Sequence, residues 1–122
     1  MGRFTLIGAG AMMVVVGALH LLAPRMMMEA PGIALTSANH LHVIRAAYGG
    51  AYLGIGALFL LGVAAPSQQT ASLRAVALIF SGFAFGRLVS IVADGVPAPL
   101  YLGVLAFEIV FAALAILSLR RA

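Results

Sequence analysis

A chain of 122 residues, 64% hydrophobic and only 8% charged, carries too little polar surface for a water-soluble domain of its size. Its net charge of +4 comes from seven scattered arginines against three acids, with only Arg120 and Arg121 adjacent. That pattern excludes the basic stripe of a nucleic-acid-binding surface. The absence of cysteine excludes disulfides, thiolate metal centres and a cysteine nucleophile.

A membrane-spanning helix needs roughly 20 consecutive apolar residues, and four stretches reach about that length: Phe4–Ala23, Val43–Ala65, Ser72–Ala93 and Pro99–Leu119. The first is too long for the apolar region of a signal peptide, about 7–15 residues, and no clear small-x-small site precedes Pro24, so it reads as an uncleaved first helix. Residues 24–42 form the one long connection. Met26, Met27 and Met28 suit the headgroup region there, and Thr36 or Ser37 is an N-cap for the second helix. A short polar link from Pro66 leads to the third helix. That helix ends at Asp94–Gly95, where Gly95 fits a left-handed C′ position and Pro97 prevents continuation. All five prolines fall in connections or at helix ends. The fold class expected is therefore all-α: an integral membrane four-helix bundle, up-down-up-down, in a single domain over residues 1–122.

Orientation follows the arginines. Arg3, Arg74, Arg120 and Arg121 flank one side, whereas the other carries Arg25 with Glu29 and Asp94. The positive-inside rule then places both termini in the cytoplasm. Ala46, Gly50 and Gly54 in the second helix, and Gly82, Gly86 and Ser90 in the third, recur every four residues. Such stripes let helix backbones approach closely, so these two helices are expected to form a tight pair.

Threaded this way, the remaining ionisable residues share one half of the membrane. Helical spacing aligns Arg45, Tyr48 and Tyr52 on the second helix, and Arg87, Ser90 and Asp94 on the third. Tyr101 and Glu108 align on the fourth, and His20 lies one turn from the end of the first. At about 1.5 Å of rise per residue, Arg87 lies two turns down and Glu108 is near the midplane. A carboxylate at that depth cannot reach water, so Arg87 is its expected partner, and Arg45 is within reach of Asp94. Two readings follow: a self-neutralising network that fixes helix register, or a polar-ended pocket for a small lipophilic or amphipathic molecule with an anionic or carbonyl head. An accessory subunit of a larger membrane assembly, or a homo-oligomer, is the alternative role.

Two other chemistries have weaker footing. His40 and His42, with His20, Met26 and Met28, are the residue types that suit copper. However, residues two apart point to different faces of a helix, and methionine runs are common at lipid interfaces. Glu108 with Tyr48, Tyr52 or His20 would make an intramembrane acid–base relay, as in an isomerase, but no catalytic motif accompanies them. The sequence assigns no cofactor.

The segment Arg45-Ala-Ala-Tyr48-Gly49-Gly50-Ala-Tyr52-Leu-Gly54, together with Gly86-Arg87-Leu-Val-Ser90-Ile-Val-Ala-Asp94-Gly95-Val-Pro97 and the later Glu108, resembles the hallmarks of a bacterial membrane family. That family is catalogued as a domain of unknown function, family number 4345. The resemblance spans nearly the whole chain and implies a four-helix protein broadly similar to DoxX-like proteins, in a bacterial inner membrane and in contact with lipid. It implies no activity.

Overall fold

The computed structural model describes residues 1–121. Among them every regular element is helical. Helix α1 spans Gly2–Leu22, and a short α2, Pro24–Glu29, follows with Pro24 at its first turn, where a missing N–H costs nothing. Helix α3 runs Ala38–Ala64 and contains a π-helical turn at Arg45–Gly50. A 3₁₀ turn at Pro66–Gln68 leads into α4, Gln69–Asp94, and α5 spans Pro99–Arg120. The four long helices are apolar and long enough to cross a membrane.

Helix α3 starts five residues before the apolar pattern does, at Ala38 rather than Val43. The Ser37 hydroxyl accepts the His40 N–H at 3.2 Å and caps the first turn. Asn39, His40 and His42 interrupt the apolar pattern there, so hydropathy does not mark it. The long connection is braced by Arg25, whose Nη1 donates to the Leu35 carbonyl at 2.8 Å. Gly95 closes α4 with φ 102°, a conformation that a side chain would strain.

The two close pairs are α1 with α3 and α4 with α5. This corrects the expectation of a tight contact between the second and third long helices. A Cβ added at Gly54, Gly82 or Gly86 meets nothing within 4 Å, and one at Gly50 meets only its own helix, so these glycines face outward. Ala46 is exposed as well. The close approach is made instead by Gly10 and Gly17 of α1 against Gly49 and Gly56 of α3. A Cβ on Gly17 would sit 2.9 Å from the Leu53 nitrogen and 3.0 Å from the Gly49 oxygen.

The core holds Leu6, Met13, Phe59, Val76 and Phe80, all essentially inaccessible. At one end of the bundle, Ser72 donates to the Leu58 carbonyl at 2.7 Å and Ser118 to that of Leu114 at 2.7 Å, so buried hydroxyls cost little there. Aromatic rings continue from Phe59 and Phe80 through Phe83 to Tyr52, at 5.7, 6.3 and 5.8 Å between centroids. The outer surface is greasy: Leu78, Phe85 and Val92 keep 75, 69 and 88% of their area exposed. Such a surface is what hydrocarbon, not water, would solvate.

Candidate functional site

The polar residues of the sequence resolve into three separate arrangements at the end of the bundle opposite Ser72 and Ser118. The deepest is Arg87 with Glu108. The Arg87 Nε donates to both carboxylate oxygens of Glu108, at 3.1 and 2.9 Å. Glu108 keeps only 4% of its side-chain surface exposed, whereas Arg87 keeps 37%. Arg87 supplies the charged donor that offsets the burial of the carboxylate. Among the described residues, neither Nη of Arg87 has a hydrogen-bond partner.

Arg87 also borders a cleft of about 110 Å³ between α4 and α5, lined with it by Ser90, Ile91, Pro97, Tyr101 and Leu105. Residues Arg87, Ser90 and Ile91 share one face of α4, and Tyr101, Leu105 and Glu108 share one face of α5. Of the apolar members, Pro97 was read only as a helix stop, and Ile91 and Leu105 were not singled out from sequence. The spacing of Ile91 four residues from Arg87, and of Leu105 four from Tyr101, was the available signal. Ser90 also donates to the Asp94 carboxylate at 3.0 Å, and both are exposed.

Arg45 does not meet Asp94. Its Nε donates to the Leu21 carbonyl at 3.0 Å, at the C-terminal end of α1. This corrects the expected Arg45–Asp94 contact: a cation near a helix C-terminus satisfies a carbonyl that lacks an intrahelical donor and meets the negative end of the helix dipole. Gly49 makes the approach feasible, since its backbone lies against Leu21.

The third arrangement is aromatic. His20 is buried, and its Nδ1 donates to the Val16 carbonyl at 2.7 Å, because the carbonyl can only accept. Its ring stacks on Tyr48 at 5.5 Å between centroids and lies 6.3 Å from Tyr52. Tyr52 in turn leads to Phe83 and the core. His20, Tyr48 and Tyr52 thus sit together but do not line the Arg87 cleft.

The candidate metal residues do not converge. His40 Nδ1 accepts from the Thr36 N–H at 3.2 Å. His42 lines a different groove, with Ala38, Leu41, Arg45 and Ala46. Met28 is buried and Met26 exposed. Among the described residues, no three side chains of His, Asp, Glu or Cys form a metal-binding group.

Residues 1–119 match the family model described as "Domain of unknown function (DUF4345)". No curated protein and no solved structure matches the chain. The match spans both hallmark segments and Glu108, so the residues that build the ion pair and the cleft lie within it: the chain belongs to the DUF4345 family.

Proposed function

We propose that this protein is a non-enzymatic membrane protein that binds a small amphipathic molecule by an anionic or carbonyl head in the cleft between α4 and α5. One observation carries the reading. Arg87 is fixed through Nε by a buried carboxylate, its two Nη groups have no partner among the described residues, and it lines a cleft with Ser90 and Tyr101. A guanidinium whose remaining donors lie in low-dielectric surroundings favours an oxyanion or carbonyl oxygen. A cleft of about 110 Å³ suits a headgroup, and Ile91 and Leu105 give it apolar walls.

The same reading places the protein in a bacterial cytoplasmic membrane, with the helices alternating in direction and both termini inside. The short links Pro66–Gln68 and 95–98 support alternation, and Arg3, Arg74, Arg120 and Arg121 support the orientation. The cleft would then open toward the outer leaflet. A second role, as one subunit of a larger assembly, is favoured by the outward-facing glycines Gly54, Gly82 and Gly86, which leave smooth surfaces for another helix.

Native mass spectrometry of the gently purified protein tests the first reading. Wild type should carry a stoichiometric amphiphile. The charge-neutral double variant Arg87→Leu/Glu108→Gln should lose it, and Tyr101→Phe should retain less. Unchanged co-purification with the double variant would exclude the cleft as the site.

A further inference from the structure

We infer that a second site, independent of the Arg87 cleft, takes the phosphate of an anionic phospholipid on the outer wall of α3. A groove of about 500 Å³ is lined by Ala38, Leu41, His42, Arg45 and Ala46. Its two polar members lie three residues apart, on one helix face. Arg45 is held in place by its Nε bond to the Leu21 carbonyl, which leaves its Nη groups as donors. His42 adds an imidazole donor beside it. No carboxylate lines the groove: Glu108 is on Arg87, Asp94 accepts from Ser90, and Glu29 ends α2.

The source of the phosphate follows from the surroundings. Ala38 and Ala46 leave the floor open, and Leu41 supplies an apolar wall. The groove lies where α3 passes from its polar first turn into its apolar span, which is the depth of a phospholipid headgroup. A diacyl lipid satisfies both parts at once. Its phosphodiester meets Arg45 and His42, and its chains cover the apolar surface below. Free phosphate would satisfy only the first.

The test uses the full-length protein in nanodiscs containing equal phosphatidylglycerol and phosphatidylcholine, with bound lipid read by native mass spectrometry. Wild type should retain phosphatidylglycerol about fivefold over phosphatidylcholine, the worth of one arginine near an anionic surface. Ala46→Leu fills the groove without altering any charge and should bring the ratio to about one, as should Arg45→Gln. The Arg87→Leu/Glu108→Gln variant should keep the preference, which separates this site from the cleft between α4 and α5. Added inorganic phosphate should leave the ratio unchanged. No preference in wild type, a preference that survives Ala46→Leu, or displacement of the lipid by inorganic phosphate would each overturn the assignment.

Discussion

Arg87 meets both carboxylate oxygens of Glu108 through a single nitrogen, Nε, at 3.1 and 2.9 Å, rather than through the two-nitrogen fork that guanidinium groups often present to carboxylates. The geometry neutralises a carboxylate that is almost wholly buried and engages only one of the three guanidinium nitrogens.

The two partners should therefore respond unequally to substitution. Arg87→Leu strands Glu108 in the interior and should cost about 3–5 kcal/mol. Glu108→Gln leaves an arginine that still has 37% of its side-chain surface exposed, so the loss should be smaller, about 1–2 kcal/mol. The double variant should recover most of the stability lost in Arg87→Leu. Unfolding in mixed detergent micelles measures all three; equal losses for the two single variants would contradict the unequal burial.

Arg45 offers a contrast, because its partner is main chain. Arg45→Gln should cost about 1–2 kcal/mol, from the loss of a charged donor to the Leu21 carbonyl and of a cation at the end of α1. Asp94→Asn should change stability by less than about 0.5 kcal/mol, since Asp94 is exposed. A double-mutant cycle between Arg45 and Asp94 should give no coupling; a sizeable coupling energy would mean that the two meet after all.

These pairs also show what the sequence disclosed. Four long apolar helices were legible because length and hydropathy suffice for them, and Glu108 pointed to Arg87 because a carboxylate amid an apolar helix calls for a cation. The start of α3 was hidden, since Ala38 to His42 lie beyond the apolar run. The partner of Arg45 was hidden because a main-chain carbonyl has no sequence signature. Helix pairing was misread for a further reason. Lipid is as apolar as the bundle interior, so glycine stripes look alike whether they face a neighbour or the bilayer.

The glycines on the two kinds of face should separate cleanly on mutation. Gly17→Ala places a methyl group 2.9 Å from the Leu53 nitrogen, and backbone cannot step aside as a side chain can. Its cost should be about 1–3 kcal/mol. Gly82→Ala and Gly86→Ala meet nothing within 4 Å and should leave stability unchanged or raise it by up to about 1 kcal/mol, through the gain in helix propensity. Should Gly82→Ala instead weaken an oligomer seen by light scattering while sparing monomer stability, that face would be an interface between subunits.

The direction of the helices is open to a clean experiment because the chain has no cysteine. Single cysteines at Ser67 and Ala98 introduce one thiol each, at exposed positions on either side of α4. With both termini in the cytoplasm, a membrane-impermeant maleimide should label Ala98→Cys in intact cells and Ser67→Cys only after permeabilisation. The physical basis is the imbalance of arginines. Arg3, Arg74, Arg120 and Arg121 flank the end that holds Ser67, whereas Arg25 at the other end shares its connection with Glu29. The reverse labelling pattern would invert the orientation and turn the Arg87 cleft toward the inner leaflet. Labelling of both thiols from the same side would mean that α4 does not cross the membrane, and would remove the low-dielectric setting on which the proposed binding of an anionic head at Arg87 rests.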